Sequence, residues 1–290
     1  MSGEANHGEH RVGVIASILS YNSVSTLPSV VDGIENQTHQ PDRVLIVDNG
    51  SGEPTLEFLR RLSPRFEVLF LPDNVGLGAG HNTGWRTAID DPSCDYVWAL
   101  ENDSVPPRNC LERLLATAHS LEASGIEYGA ILPKQVHPDD PRRERTGAPH
   151  IVPKMTFNGV LIPAATLRRV GFIREDFFID QDDWEYSDRL TEAGLPIYKD
   201  PATTIDHMGK GREPSILRTY YTVRNDVYLR RTIRKEPLTM PRVLLRSGGA
   251  VVRTILMEDA KWRRIRTRMA AIRDGVRGDL GKKDYSFLTG

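Results

Sequence analysis

Only two cysteines, Cys94 and Cys110, occur in 290 residues, and they are not in a Cys-x-x-Cys spacing. That excludes a disulfide framework and argues against a zinc site, and both thiols are expected to be buried and free in a reducing compartment. No apolar run approaches the roughly 18 uninterrupted residues that a membrane-spanning helix needs. The opening MSGEANHGEHR carries acids and His where a secretory signal has a basic and then an apolar stretch. A cytoplasmic location is therefore expected, with residues 1–10 a flexible terminus. Repeats and low-complexity stretches are absent, and 39% hydrophobic residues exclude a disordered chain. The dinucleotide fingerprint Gly-x-Gly-x-x-Gly is also missing. Gly76-x-Gly78-x-Gly80 has the wrong spacing and follows the third strand rather than the first, which excludes a dehydrogenase. Ser20 to Pro28 holds no Gly, Lys or Arg, which argues against a nucleotidyltransferase.

What is present is an alternation. Residues 12–19, 43–48, 67–72 and 95–101 are short apolar, β-branched runs separated by segments of helical periodicity. They predict βαβ units and a buried parallel sheet, an α/β class. In such sheets ligands bind beyond the carboxyl ends of the strands. Those ends carry Ser20-Tyr21-Asn22, Asp48-Asn49-Gly50-Ser51, Asp73-Asn74 and Glu101-Asn102-Asp103. After residue 125 shorter strand candidates follow (IEYGAILP, HIVPKMTF, PIYKDP), with a helix from about Asp183 to Ala193 closed by Gly194. The glycines after Asn74 are expected either to let the backbone approach a ligand or to turn the chain sharply into a helix beginning near His81. The last third is expected to be helical, from Pro214 to about Arg234 and again across 250–277.

Three groups of residues could carry chemistry. Glu101 and Asp103 stand at i and i+2 beyond a strand end, where carboxylates can hold a hard divalent cation on phosphate oxygens. Elsewhere the same pair would be a solvated turn. Asp182-Asp183-Trp184-Glu185 opens a helix, and one acid there serves as an N-cap. Three acids beside an aromatic exceed what capping requires, so one of them is a candidate general base toward a hydroxyl. His207 follows a short strand and is either structural or the imidazole of an Asp, His and diphosphate coordination shell.

In this order the motifs resemble the family 2 inverting glycosyltransferases of the A-type glycosyltransferase fold, in particular the rhamnosyl- and galactofuranosyltransferase-like branch. The match runs from Ser20-Tyr21-Asn22 and Val47 to Ser51, through the Asn74 to Asn82 loop and Glu101-Asn102-Asp103, to Asp182-Asp183 and His207. The resemblance implies a Rossmann-like mixed sheet flanked by helices over 11–235, and the charge and periodicity of the rest of the chain predict a basic helical extension over 236–290. It implies that Ser20, Asn22, Asp48, Asn74, Gly76, Asn82, Glu101 and Asn102 bind a nucleotide-sugar, UDP- or dTDP-linked. Asp103 and His207 would hold Mg²⁺ or Mn²⁺, Asp183 would be the base, and Asp182, Trp184 and Glu185 would line the acceptor, a glycan or lipid-linked glycan of polysaccharide or cell-wall biogenesis. No nucleic-acid partner is implied. Three departures stand out: Glu101 replaces the first Asp of Asp-x-Asp, Thr83 replaces an Arg, and Gln181-Asp182 replaces Gly-Glu. A catalytically silent binding protein of the same fold is the alternative; it would keep the sheet and lose the acids.

From residue 241 onward twelve basic side chains face five acidic ones, a balance of +7 that leaves −8 for the first 240 residues. Val251, Ile255, Trp262, Ile265, Met269, Ile272 and Val276 recur at helical spacing with arginines largely off that stripe. Such a helix packs on the domain or on a second copy, or lies against the inner face of an anionic membrane.

Overall fold

The computed structural model describes residues 12–137, 147–208, 215–236 and 261–284. Four parallel strands, β1 (Val14–Ser20), β2 (Arg43–Asp48), β3 (Phe66–Phe70) and β4 (Tyr96–Glu101), lie in the order β3-β2-β1-β4. Helices α1 (Leu27–Glu35), α2 (Glu53–Arg60), α3 (Leu77–Ile89) and α4 (Cys110–Ala123) connect or follow them. Every residue of β1 is buried because the sheet is covered on both faces. Val14, Ala16 and Ile18 point into one core with α1 and α4, while Ile15 points into the other with Trp85 and Ala88 of α3. This is the period of two of a strand sandwiched between helical layers. Cys94 and Cys110 are buried and free.

The second half extends the sheet with mixed polarity. Strands β5 (Ser104–Val105), β6 (Ala130–Val136), β7 (His150–Val152), β8 (Val160–Pro163) and β9 (Ile197–His207) give the full order β3-β2-β1-β4-β8-β6-β9-β5, with β7 on β9. β8 inserts antiparallel between β4 and β6 and leads into α5 (Ala164–Val170). The segment PIYKDP and the short strand expected just before His207 form one strand, not two: β9 runs through Pro201, and its register against β6 shifts between Pro133 and Lys134. Such an irregularity accommodates a proline that has no N–H for the ladder. The distal end of β9 turns to pair with β5, which sets His207 opposite Ser104.

Helix α6 (Asp182–Glu192) ends at Ala193, with Gly194 at φ 73° in the left-handed conformation that closes helices. Helix α7 (Ile216–Tyr228) continues through a π-helical turn, Leu229–Ile233, and α8 (Lys261–Arg277) packs against it. Pro214, Val251 and Ile255 lie outside the described residues. The expected apolar stripe of the tail divides in two. Ile272 is buried against Val227, whereas Trp262, Met269 and Val276 are exposed. The packing face is instead Thr267, Ala271, Ile272, Asp274 and Gly275, where small residues let α8 approach α7 closely.

Candidate active site

The carboxyl end of β4 supplies the first cluster. Glu101 ends the strand, Asn102 and Asp103 form a turn, and Ser104 begins β5, anchored by a buried hydrogen bond between its Oγ and Asn158 Oδ1 at 2.6 Å. The Met208 N–H donates to the Asp103 carbonyl at 2.8 Å, and the β5–β9 pairing brings His207 Nε2 to 3.4 Å from Asp103 Oδ2. Asp103 Oδ1 is buried and accepts no hydrogen bond. Burial, then the charges of Asp103, Asp182 and Asp183, push the Glu101 carboxyl up to about 8, opposed by Arg218. The two acidic clusters thus lie close enough for their charges to act on one another.

The second cluster sits on a constrained loop. Phe178, Asp180 and Gln181 have positive φ (66°, 65° and 69°), a conformation unfavourable for residues with a Cβ, so something must hold it. Buried Arg224 and Asn225 of α7 do so. Arg224 donates to the carbonyls of Phe177 at 2.9 Å and Gly281 at 2.6 Å, and Asn225 Nδ2 lies 2.9 Å from those of Phe177, Ile179 and Asp180. Carbonyl oxygens, the ring of Tyr221 at 4.8 Å from its guanidinium carbon, and the nearby charge of Asp176 offset the burial of the Arg224 charge. This bracing delivers Asp182 and Asp183 at the start of α6. Gln181 occupies the N-cap with no side-chain bond, and it is Asp183, the second residue of the helix, whose carboxylate takes up an orphan amide of the first turn. Asp182 is buried with Oδ2 unpartnered, and its carboxyl is raised to about 8 by burial and then by Asp183. Asp183 is less buried and raised to about 6, again by burial first and with Asp180 adding to it, while its Oδ1 accepts from the Trp184 N–H at 2.8 Å. A carboxylate tuned toward neutrality beside an acidic pair is suited to taking a proton.

The β1 and β2 ends form the third part. Ser20 is buried against Ser23, and Asn22, at φ 48°, accepts from the Gly52 N–H at 2.8 Å and so ties the two ends together. Asp48 receives the Ser51 N–H on Oδ2 and leaves Oδ1 buried and unpartnered. A cavity of about 260 Å³ opens beside it, lined by Gly50, Ser51, Leu56, Arg60 and Phe70 among others. Asn74 accepts from the Gly76 N–H, and Gly76, at φ 97°, turns the chain into α3. The helix begins at Leu77, four residues before the expected start. Gly78 and Gly80 are therefore helical, and a Cβ there would meet the Arg174 carbonyl at 2.6 Å or Leu19 Cδ1 at 2.5 Å. They let α3 approach its neighbours.

The sequence-predicted residues therefore lie beyond the ends of β1 to β4, at the end of β9 and at the start of α6, with two exceptions in orientation. Asn82 is fully buried, and its amide exchanges hydrogen bonds with Ile173 N–H and C=O. Glu185 is buried in an ion pair with Arg189 on the side of α6 that faces the Val170 and Phe172 carbonyls. Trp184 is exposed, with Lys154 and Arg234 near its ring and both cations bound to Asp188. Sequence reasoning missed Arg218, Arg224 and Asn225. Arg218 binds both oxygens of Asp180 and acts on Glu101 and Asp103. One signal was present, since a cation in the first turn of a helix opposes the helix dipole and needs a local reason.

As to a metal, among the described residues no three His, Cys, Asp or Glu side chains form a site by themselves. Asp103 and His207 offer two ligands, and the orphaned Asp103 Oδ1 beside raised carboxyls marks a place short of positive charge. The residues fit a cation that takes its remaining ligands from a bound diphosphate.

Comparison with known proteins agrees with this geometry. The model of the family described as "Glycosyl transferase family 2" matches residues 16–170, just over half of the chain. Galactofuranosyltransferase GlfT1 of Mycolicibacterium smegmatis is 23% identical over 212 residues, 65% of this chain and 68% of that protein. GlfT1 of Mycobacterium tuberculosis is 27% identical over 207 residues, 63% of this chain and 66% of that one. Among solved structures, GalNAc-T7 with UDP, GalNAc and Mn²⁺ superposes with a TM-score of 0.58 at 15% identity, over 75% of this chain and 47% of that chain. Staphylococcus aureus TarS gives 0.59 at 15% identity, over 91% of this chain and 49% of its own. The chain thus spans about two thirds of these curated relatives and about half of these two solved chains. It has the A-type glycosyltransferase fold and belongs to the family 2 glycosyltransferases.

Proposed function

We propose that this chain transfers one sugar, with inversion, from a nucleotide diphosphate donor to a hydroxyl of a glycan or lipid-linked glycan. The observation that carries the reading is the pairing of two unlike acidic centres. Asp103 adjoins His207, and Asp183, raised to about 6, stands on the neighbouring braced loop. Asp183 would take the acceptor hydroxyl's proton as that oxygen attacks the anomeric carbon on the face opposite the leaving diphosphate. Asp103 and His207 would hold Mg²⁺ or Mn²⁺, which when bound stabilises negative charge on the departing nucleotide. Arg218 adds a fixed cation near the same carboxylates. The Asp48 end and its cavity would receive the nucleoside, with Ser20, Asn22, Asn74, Gly76, Glu101 and Asn102 around the donor and Asn82 bracing the loop. Asp182 and exposed Trp184 would face the acceptor.

Galactofuranose is favoured over rhamnose as the sugar, and UDP over dTDP as its carrier, because the matched relatives named above are galactofuranosyltransferases. Work on a cell-wall or polysaccharide intermediate at the inner face of the membrane is the corresponding setting. No helix among the described residues is long and apolar enough to cross a membrane. A test is thermal stabilisation of the protein by a panel of nucleotide diphosphates and nucleotide-sugars with and without Mn²⁺. Stabilisation by UDP or UDP-galactofuranose that requires Mn²⁺ is expected. No stabilisation by any member would contradict the reading, and binding without turnover would favour a catalytically silent protein.

A further inference from the structure

Helix α8 has two faces of opposite character. Its inner face packs on α7 through Thr267, Ala271, Ile272, Asp274 and Gly275. Asp274, the one acid in the helix, is buried there, with Tyr220 donating to its Oδ2 at 2.6 Å. At about 100° per residue the outer arc runs in order through Val276, Met269, Trp262, Arg273, Arg266 and Arg277. Trp262 is 82% exposed, Met269 55% and Val276 39%, and all three arginines are exposed. Arg266 and Arg277 make no ion pair among the described residues. The outer face is thus an apolar row beside a cationic row, with no acid on it.

The position of this face is informative. Ala271 packs on Tyr220 and Tyr221, Gly275 on Arg224 and Val227, and Gly278 near Tyr228, so α7 and α8 run in the same direction. The end of α8 carrying Trp262 and Arg266 therefore points the same way as the end of α7 carrying Arg218, which acts on Glu101 and Asp103. Beyond α8 the chain folds back onto the catalytic loops. Gly281 N–H donates to the Asp176 carbonyl at 2.6 Å, and Lys282 Nζ donates to the Asn74 carbonyl at 2.8 Å.

We infer that the outer face of α8 docks the protein on an anionic lipid surface, with its apolar row in the headgroup boundary and its arginines on lipid phosphates. A face turned only to water has no use for Trp, Met and Val in a row. Trp sits well at a headgroup boundary, where one part of the ring is apolar and the N–H is wet. The arginines supply the charge complementarity that identifies an anionic rather than a neutral surface. Docking is a property of α8 and stands apart from the transfer chemistry. That it brings the catalytic mouth toward a membrane-borne acceptor rests on the proposed transferase reading.

The experiment is co-sedimentation of the full chain with phosphatidylglycerol and phosphatidylcholine vesicles at low and raised salt. The probes are wild type, Trp262→Ser/Met269→Ser and Arg266→Gln/Arg277→Gln. Wild type is expected to bind the anionic vesicles at low salt, to be released by salt and to leave neutral vesicles unbound. Removing the two arginines is expected to weaken the partition coefficient roughly 30-fold, and the apolar pair is expected to weaken it as well. All three proteins should keep the same circular dichroism, because these side chains are exposed. Binding by both variants equal to wild type, equal binding to both lipids, or none by wild type would overturn the inference. So would a concentration-dependent dimer that Trp262→Ser/Met269→Ser dissolves, since the face would then belong to a second copy.

Discussion

Asp103 and His207, more than a hundred residues apart in the chain, face each other across the β5–β9 ladder with Oδ2 and Nε2 3.4 Å apart. The ladder, not the sequence spacing, makes them a pair. If they hold a cation on the donor diphosphate, Asp103→Ala and His207→Ala should each weaken Mn²⁺-dependent UDP binding by about tenfold or more, the scale of a charge-assisted contact of roughly 1.5–3 kcal/mol. Titration calorimetry at several Mn²⁺ concentrations checks this. Unchanged affinity in both variants would remove them as ligands.

Arg218 is bound to Asp180, and its charge acts on Glu101 and Asp103. Arg218→Gln should raise the donor KM and lower kcat together, because both bound and departing diphosphate would lose a fixed cation. Steady-state kinetics with donor varied would show it, and normal constants would leave Arg218 as a prop for the loop.

The acidic cluster sets a pH dependence of stability. Glu101 and Asp182 are both raised to about 8 by burial and neighbouring carboxylates. A raised carboxyl favours the folded state most when protonated. Its contribution is therefore complete below the ordinary carboxylate range and is lost as pH climbs through about 8. Without divalent cation Tm should fall between pH 5 and pH 8.5, and Mn²⁺ should reduce the fall. Glu101→Gln should flatten the profile. A profile that is flat in the wild type, or one that rises, would contradict the assignment.

Asn225 gathers three carbonyls of the loop ahead of Asp182. Asn225→Leu takes this donor from the Ile179 and Asp180 carbonyls, while the Phe177 carbonyl keeps Arg224 and the Ile179 N–H, a loss of about 1–3 kcal/mol. Because the loop holds residues at positive φ, the effect should extend to activity, with kcat falling more than the lost stability explains. Urea unfolding together with turnover separates the two. Full activity in a destabilised variant would confine Asn225 to folding.

Much of this was legible before the structure. Apolar runs bounded by polar ends predicted β1 to β4, and the acids after Leu100 and before Trp184 stood where strand ends and a helix start place them. What escaped had physical causes. Val160–Pro163 is four residues running straight into α5, too short for a period. Pro201 looked like a break and is absorbed by a register shift in β9. The glycines after Asn74 suggested a loop, but their missing Cβ atoms serve helix packing. Arg218 and Arg224 belong to a residue type that is ordinarily solvated, and only tertiary contacts turn one toward the carboxylates and bury the other. Glu185 was grouped with its acidic neighbours, yet two positions along a helix put it on another face.

The most direct test of the whole account is product formation by wild type and Asp183→Asn from UDP-galactofuranose, with Mn²⁺ and a soluble glycan acceptor, across pH 5 to 8. Anomeric configuration is read by NMR. The wild type should form an inverted glycosidic bond at a rate that falls as pH drops through about 6, where Asp183 gains its proton. The Asn variant should bind donor normally and turn over about 10²-fold more slowly or worse, the contribution of a positioned base. Near-normal turnover by Asp183→Asn, or a product of retained configuration, would contradict it.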